Sequence, residues 1–480
     1  MAEPNFFWHD YETFGVNPRR DRPAQFAGVR TDLALNEIDK PVMLYCQPAP
    51  DFLPEPEACL LTGILPQTCL EKGLPEVEFA DTVEGALARP GTIGVGYNSI
   101  RFDDEVTRFL FWRNLLDPYA REWQNECGRW DLLDVVRCAY ALRPDGLSWP
   151  QHADGKPSFR LEDLTRANGL VHEAAHDALS DVRATIALAR KIRSSQPKLW
   201  DFCLRLRKKH DVLAEMALAQ NQGLPFLHVS GRYAPERGCI AVVWPLAPHP
   251  SNKNEVIVWD LSFDPGELLT LGVDAIRSRM FSRAQDLPEG VQRLPIKTIH
   301  VNKSPIVIGH LKTLSAAMAA KWGIDVDQTL RHAELASRQA PKLAGLWPAV
   351  FERPATEQAI DVDEDLYGGF LGNEDRRSLQ RLRALKPEQL AGKRPAFADA
   401  RLEELLFRFR ARNYPATLDE AEQQRWAEHC ADRLHDGIGG AVTLAQFHDR
   451  IDALGESADA RGEALLGALL DYAEQIAPAR

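Results

Sequence analysis

The chain has 480 residues, more than a single hydrophobic core normally supports, so we expect roughly two to four domains. Hydrophobic residues make up 45% and charged residues 26% of the sequence, which is typical of a globular protein. No apolar run approaches the roughly 20 residues of a membrane span, and a signal peptide is not evident. The eight cysteines are scattered without Cys-x-x-Cys spacing, which favours a reducing cytoplasm over a zinc or disulfide framework.

The net charge of −12 is unfavourable for a nucleic-acid partner. It is a sum over the whole chain, however, and a local basic groove can coexist with an acidic exterior.

The first predicted element is a strand over residues 5–14, an aromatic run with no Gly or Pro inside it. Because side chains alternate between the two faces of a strand, Asp10 and Glu12 should emerge on the same face, about 7 Å apart. Two such carboxylates repel each other unless a cation lies between them, and Mg²⁺ prefers oxygen ligands of this kind. The alternative is a strand end whose acidic side chains face solvent.

Further strands are predicted at residues 25–29, 42–46 and 92–97, with a helix near residues 79–88. Strands followed by helical patterns indicate a mixed sheet covered by helices. After the strand at 92–97 come Asp103 and Asp104, at the start of another helix. One of the two suffices to cap that helix, and the other is available to join the carboxylates of the first strand.

Residues 101–166 are rich in arginine and aromatic residues. Guanidinium groups suit phosphates and aromatic faces suit unpaired bases, so the set favours a groove for a single strand. For each member taken alone, the alternative interpretation is a core ring or a solvated arginine. The set comprises Arg108, Trp112, Arg113, Tyr119, Trp123, Trp130, Arg137, Arg143, Phe159 and Arg160.

Residues 170–192 predict an amphipathic helix that carries Asp181 near its start. Its apolar stripe consists of Leu179, Val182, Ile186 and Ala189. His176 comes just before this helix, where a loop could bring it over the same site as Asp181.

These residues match a known pattern. Asp10-x-Glu12, Asp103, and His176 with Asp181 resemble the three motifs of the DEDD exonucleases, in the subclass whose last motif carries a histidine. Six longer stretches are similar to bacterial exonuclease I, and the resemblance covers nearly the whole chain. They are residues 97–106 (YNSIRFDDEV), 158–161 (SFRL), 175–178 (AHDA), 228–231 (HVSG), 300–303 (HVNK) and 410–415 (RARNYP).

The resemblance implies an α/β multidomain protein. An RNase H-like exonuclease domain, a mixed sheet with flanking helices, is expected over residues 1–197. An SH3-like β-barrel domain elaborated with helices follows over 198–351, consistent with β-rich segments near 229–261 and a helical segment at 311–338. Residues 352–480 should form a C-terminal α-helical domain.

The resemblance also implies phosphodiester hydrolysis assisted by two Mg²⁺ ions, with Mn²⁺ as a substitute. Asp10 would bridge the two ions, Glu12 and Asp181 would hold the ion that activates water, and Asp103 would hold the second. His176 is the expected general base, because an imidazole with a pKa near neutrality suits proton removal.

The implied reaction is the release of 5′-mononucleotides from the 3′ end of single-stranded DNA, in DNA repair and recombination. By the same resemblance we expect a cytoplasmic monomer that binds the acidic C-terminal tail of the single-strand-binding protein and does not bind membranes. Its expected DNA contacts are Thr13, Arg108, Tyr119, Trp123, Arg137 and Arg160, to which the basic residues beyond the catalytic domain add Lys209 and Lys303.

Two other interpretations of the sequence remain open. An exoribonuclease or proofreading exonuclease of the DEDD type would share the catalytic residues, but it would not need some 280 residues beyond the catalytic domain. A non-catalytic DNA-binding adaptor would need a degenerate site, whereas all five catalytic positions are filled.

Overall fold

A computed structural model describes residues 2–172, 177–217, 223–352 and 360–478. The chain divides into two compact units. The first comprises residues 1–128, 172–183 and 357–480, and the second comprises residues 129–171 and 184–356. Within the described ranges, no helix is long and apolar enough to cross a membrane.

The strands and helices are numbered in chain order. The strands are β1 (Asn5–Thr13), β2 (Pro23–Thr31), β3 (Val42–Tyr45), β4 (Thr92–Gly96), β5 (Gly128–Asp131), β6 (Phe226–Val229), β7 (Ile240–Pro248), β8 (Glu255–Asp260), β9 (Ile296–His300) and β10 (Ile306–Ile308). The helices are α1 (Pro56–Thr62), α2 (Pro66–Lys72), α3 (Glu76–Leu87), α4 (Asp103–Arg113), α5 (Leu132–Leu142), α6 (Leu161–Ala167), α7 (Ala178–Ser195), α8 (Pro197–Arg205), α9 (Lys209–Glu215), α10 (Val273–Phe281), α11 (Ala316–Lys321), α12 (Val326–Leu343), α13 (Trp347–Val350), α14 (Asn373–Arg383), α15 (Arg401–Asn413), α16 (Glu420–Asp436), α17 (Leu444–Gly455) and α18 (Ala460–Ile476).

The first sheet is mixed and has the strand order β3-β2-β1-β4-β5. The central strand β1 pairs antiparallel with β2, where Glu12 lies opposite Gln25, and parallel with β4. The mixed sheet predicted from the sequence is therefore confirmed, and its predicted strands agree with β1 to β4 within a few residues.

The second sheet is antiparallel, with the order β10-β6-β7-β8-β9. It lies in the second unit together with α10 to α13, which agrees with the predicted β-rich domain elaborated with helices. The helical segment predicted at 311–338 is divided in the structure, because α11 ends at Lys321 and Gly323 adopts φ +64°. A residue with positive φ interrupts an α-helix, and glycine does so at little cost.

Side chains from both ends of the chain share the hydrophobic cores of the first unit. In one core, Phe14 and Phe52 pack with Phe447, Leu469 and Tyr472 of the C-terminal helices. In another core, Phe109 and Trp112 of α4 pack with side chains of α14 and α15. The C-terminal helices are therefore part of the same compact unit as the first sheet.

Candidate active site

Three carboxylates converge at the end of the central strand. Asp10 and Glu12 lie two residues apart on β1, and Asp181 lies in the first turn of α7. One carboxylate oxygen from each residue can be chosen so that all three lie within 4.8 Å of one another. The strand alternation inferred from the sequence and the amphipathic helix at Asp181 together account for this cluster.

Asp103 is next to this cluster at the first residue of α4. It is 3% exposed, and its Oδ1 accepts a hydrogen bond from the Tyr11 N–H at 3.1 Å. The neighbouring Asp104 pairs with Arg121 at 2.7 Å between Oδ1 and Nη2. Neither aspartate is the N-cap of α4, because the helix is preceded by Phe102, which makes no side-chain capping bond.

The electrostatics of these carboxylates fit a divalent cation. Burial, followed by the charges of Asp103, Glu12 and Asp181, raises the pKa of Asp10 well above its usual value. Burial, followed by the charges of Asp181 and Asp177, raises the pKa of Glu12 to about 8. Acids shifted in this direction are destabilised when ionised, so a hard cation with oxygen ligands would relieve the repulsion.

Three residues that the sequence did not single out fix the start of α7 beside the cluster. The Gln25 side-chain oxygen accepts the Ala178 N–H at 3.1 Å, and Asp177 Oδ1 accepts the Ser180 N–H at 3.0 Å. His172 Nε2 lies 2.5 Å from Asp181 Oδ1. The segment HEAAHDALSD contains two histidines and two aspartates. This composition indicates that the segment belongs to the site, but it does not indicate which residue each histidine or aspartate contacts.

The predicted general base His176 lies outside the described residues, which omit 173–176. His172 is therefore the histidine whose contact with the carboxylate cluster the structure describes. It has a side chain that is 8% exposed.

The predicted DNA contacts in the first unit differ in accessibility. Trp123 is 67% exposed, and Tyr119 is half-buried with the Arg108 guanidinium 5.2 Å from its ring centroid. Arg108 itself is buried and forms ion pairs with Glu105 and Glu122, each at 2.7 Å. Thr13 is also buried, and its hydroxyl donates to the Gly15 carbonyl at 2.6 Å.

The predicted DNA contacts in the second unit lie on several elements. Arg160, just before α6, is exposed. Arg137 on α5 is half-buried and donates to Asp134 at 2.9 Å. Lys209 begins α9 and donates to the Asn254 side-chain oxygen at 2.6 Å, and Lys303 is half-buried in the turn between β9 and β10.

The arginine and aromatic residues of the set at 101–166 differ in how deeply they are buried. Trp112, Arg113 and Trp130 are at most 2% exposed, which makes them core residues and not members of an open groove. Arg113 pairs with the buried Glu76 at 2.8 Å. The core interpretation is correct for the two tryptophans, whereas Arg113 is neither a groove residue nor a solvated arginine, because it is buried and paired with an acid.

Known families match the chain along nearly its whole length. A family model described as "Exonuclease" matches residues 7–189, and this match together with the carboxylate cluster defines the protein as an exonuclease. Models described as "Exonuclease I SH3-like domain" and "Exonuclease I C-terminal domain" match residues 207–353 and 360–476.

Curated relatives agree with these matches. The chain is 43% identical to the "Exodeoxyribonuclease I" of Escherichia coli over 99% of this chain and 98% of that protein. It is 44% identical to the protein of that name from Haemophilus influenzae over 90% of each. The chain belongs to the exodeoxyribonuclease I family, as its motifs predicted.

Solved structures are similar over the whole chain. A moderately thermophilic exonuclease I from Methylocaldum szegediense is 48% identical with a TM-score of 0.92, and the match covers 98% of this chain and 99% of that one. Escherichia coli exonuclease I in complex with a dA16 oligonucleotide is 42% identical with a TM-score of 0.93, and the match covers 98% and 100%. A zinc-ion-bound form of the Escherichia coli protein with single-stranded DNA has a TM-score of 0.91 at 42% identity, covering 98% and 99%.

Proposed function

We propose that this exonuclease degrades single-stranded DNA from the 3′ end, releases 5′-mononucleotides and acts in DNA repair and recombination. The observation that carries the proposal is the convergence of Asp10, Glu12 and Asp181 at the end of β1. Support comes from relatives named exodeoxyribonuclease I and from the structures of one of them with single-stranded DNA.

The acidic residues would hold two divalent metal ions, Mg²⁺ or in its place Mn²⁺. Bound there, such ions supply an activated water and charge stabilisation at the leaving oxygen. Asp10 would contribute to both ion sites, and Glu12 and Asp181 would hold the ion on the side of the water. Asp103 would hold the other ion, while the Tyr11 N–H fixes one of its oxygens.

Two histidines could serve the proton transfer, and their proposed roles differ. We assign His176 as the general base, on the resemblance of residues 175–178 to the family motif. His172 contacts Asp181 directly at 2.5 Å. Because an imidazole in that contact orients the carboxylate of Asp181, which is a proposed metal ligand, we assign His172 a positioning role.

Alanine replacements separate the two histidines. His176→Ala is expected to lower kcat by roughly 10²–10⁴-fold, the usual range for loss of a general base, with little change in DNA affinity. His172→Ala is expected to weaken metal binding by roughly 10–100-fold, as loss of a ligand's orienting partner does. Steady-state kinetics across a Mg²⁺ titration measure both effects. If saturating Mg²⁺ restores His176→Ala, or if its DNA affinity falls as much as its rate, His176 is not the base.

A digestion of end-labelled single strands tests the proposed reaction. With a label on the 3′-terminal nucleotide, labelled mononucleotide should appear at once, whereas a 5′ label should remain in long products until late. RNA of the same sequence should be degraded far more slowly. Preferential cleavage of short RNA would favour an exoribonuclease, and metal-independent binding without cleavage would favour an adaptor.

The proposed organisation is a cytoplasmic monomer with domains at residues 1–197, 198–351 and 352–480. The family matches support these boundaries. The first match ends at residue 189 and the second begins at 207, and the second match ends at 353 and the third begins at 360.

The second unit offers a pocket suited to the acidic tail of a single-strand-binding protein. A cavity of about 410 Å³ is lined by apolar side chains that include Leu142, Leu199 and Phe202. Arg143 and Lys198 also line it. A cavity that combines apolar walls with two cations is complementary to an acidic peptide, so we propose that the tail binds here.

A charge reversal tests this pocket. Arg143→Glu is expected to weaken binding of a fluorescent acidic tail peptide by at least about tenfold, since it replaces an attraction with a repulsion. Arg338→Glu is the matched control, because Arg338 is exposed on α12 and is not among the lining residues. Fluorescence anisotropy measures both. Equal losses in the two variants would indicate only a general charge effect.

A further inference from the structure

A buried glutamine joins the first sheet to the helix that carries Asp181. Gln25 lies on β2 and is 2% exposed. Its partner in the register with β1 is Glu12, and residues that lie opposite each other in an antiparallel pair present their side chains on the same face of the sheet. The Gln25 side chain therefore stands beside a proposed metal ligand, on the face of the sheet that carries the carboxylate cluster.

Both polar atoms of the Gln25 carboxamide are bonded. Its Oε1 accepts the Ala178 N–H at 3.1 Å, and its Nε2 donates to Met43 Sδ at 3.7 Å. Met43 lies on the neighbouring strand β3, and Ala178 is the first residue of α7. The orientation of the carboxamide is thus fixed by the sheet at one atom and by the helix at the other.

The bond to Ala178 satisfies a donor at the start of α7. The first N–H groups of an α-helix have no carbonyl partner within the helix. Asp177 supplies two acceptors from the helical segment itself, because its Oδ1 accepts the Ser180 N–H at 3.0 Å and its carbonyl accepts the Asp181 N–H at 3.0 Å. The acceptor for the Ala178 N–H comes instead from the sheet. This bond therefore fixes the first turn of α7 relative to β2, which the bonds of Asp177 do not.

The distance between Asp181 and Glu12 depends on the position of this turn. Asp181 lies three residues after Ala178, which corresponds to about 4.5 Å along the helix axis. Mg²⁺ demands near-ideal octahedral geometry with ligand distances of about 2.0–2.1 Å, and a functional site tolerates displacements of only about 0.5 Å. A helix start that shifts against the sheet would hold the ion less tightly, although every ligand would still be present.

The apolar contacts of α7 do not fix its first turn to this accuracy. Val182 and Ile186 are buried and attach the helix, but hydrophobic contacts have no preferred direction. A hydrogen bond is limited to a narrow range of lengths and angles. The bond between Gln25 and Ala178, which is buried at both ends, is therefore suited to set the rotation and height of the turn.

We propose that Gln25 is a positioning residue for the metal site. Its carboxamide sets the start of α7 so that Asp181 meets Asp10 and Glu12 at the distances that a divalent cation requires. A residue that supports a ligand without touching the ion typically changes metal affinity by roughly 10–100-fold. This inference deepens the proposed function and rests on the metal site assigned there.

Gln25→Met tests the bond. Methionine has about the length of glutamine, but its thioether is only a weak acceptor, so the affinity for Mn²⁺ is expected to fall by roughly 10–100-fold. EPR of the free ion during a Mn²⁺ titration of the protein without DNA measures this affinity independently of turnover. Gln339→Met is the matched control, because Gln339 is also a buried glutamine but lies on α12 in the second unit. An unchanged affinity in Gln25→Met, or an equal loss in Gln339→Met, would overturn the proposal.

Two acidic variants separate the bond from charge, and they remain informative if thermal melts show that Gln25→Met is unfolded. Gln25→Glu keeps an acceptor at the same reach. Gln25→Asp carries the same charge on a side chain that is one methylene shorter and no longer reaches the Ala178 N–H. If the bond positions the site, Gln25→Glu should bind Mn²⁺ at least roughly tenfold more tightly than Gln25→Asp. Equal affinities would mean that only the charge near the cluster matters, and the proposal would be wrong.

Kinetics supply a second readout that a purely structural role would not change. In Gln25→Met the Mg²⁺ concentration for half-maximal activity should rise, whereas kcat at saturating Mg²⁺ should recover, because apparent affinity falls with the fraction of competent sites. A loss of kcat that Mg²⁺ does not restore would contradict a role through Asp181. Failure of the proposed function has a different signature, since it would appear in the wild type as absent Mn²⁺ binding or a failed end-label digestion.

Discussion

Replacing Asp10 by Asn is expected to abolish hydrolysis of single-stranded DNA while leaving the protein folded. Asp10 belongs to the carboxylate cluster with Glu12 and Asp181, and the charge of Asp103 is one of the causes that raise its pKa. A neutral amide lacks the charge that holds a divalent ion against competing water. Because the charged Asp10 is disfavoured by burial and by its neighbours, the variant should also melt at a higher temperature than the wild type when both are in EDTA.

Thermal melts with and without Mg²⁺ complete this experiment. Mg²⁺ should raise the melting temperature of the wild type but have little effect on Asp10→Asn, because a ligand stabilises only the state that binds it. Asp201→Asn is the matched control, since Asp201 is an exposed aspartate on α8. Full nuclease activity in Asp10→Asn, or an equal Mg²⁺ effect in both proteins, would contradict the assignment.

The carboxylate cluster can be predicted from the sequence because the periodicity of a strand or a helix is a local property. Asp10 and Glu12 share a face of β1 by the period of two, and the apolar stripe from Leu179 to Ala189 fixes where Asp181 stands on α7. Gln25 is different. Its bond to the Ala178 N–H joins residues 153 positions apart, and no local pattern indicates such a partner.

The arginine and aromatic residues show where composition is insufficient. Trp112 and Trp123 lie in the same stretch of sequence, yet Trp112 is 2% exposed and Trp123 is 67% exposed. The difference arises from side chains such as Leu379 and Leu402, which are distant in sequence and pack against Trp112. Arg108 is likewise a candidate DNA contact by sequence, whereas in the structure it bonds to three partners, one on its own helix and two from other segments.

The motif RARNYP at residues 410–415 resembles the family, but the sequence alone does not indicate what these residues do. In the structure, Arg412 is 2% exposed at its side chain and pairs with Asp51 at 2.7 Å and with Asp363 at 2.5 Å. Asn413 Oδ1 accepts the Val77 N–H at 3.1 Å. The motif therefore joins α15 to the N-terminal part of the first unit through buried polar contacts.

Replacement of Arg412 by Leu is expected to lower the free energy of unfolding by about 3–5 kcal/mol, the usual cost of breaking a buried ion pair. The loss is large because Asp51 is fully buried and Asp363 nearly so, and each keeps a charge that has lost its closest cation. Urea unfolding at pH 7 measures the change. Arg338→Leu is the control, since Arg338 and Glu334 are both more than 70% exposed and such helix pairs contribute only about 0.3–0.5 kcal/mol.

The same network predicts how stability depends on pH. Burial by itself raises the pKa of Asp51 and Asp363, but the guanidinium groups around them, Arg412 foremost, outweigh burial and hold both pKa values well below the usual range. A carboxyl with a depressed pKa in the folded state contributes stability that is complete above its unfolded pKa, about 3.9. That contribution decreases as the pH falls further.

The free energy of unfolding of the wild type should therefore exceed that of Arg412→Leu by the most at pH 7, and the difference should narrow progressively below about pH 4. Taking the difference is necessary because Asp10 and Glu12, whose pKa values are raised, contribute with the opposite sign. Their protonation favours the folded state as the pH falls, and it does so equally in both proteins. A difference that stayed constant from pH 7 to pH 3.5 would show that Arg412 stabilises the fold through its packing and not through the charges of Asp51 and Asp363.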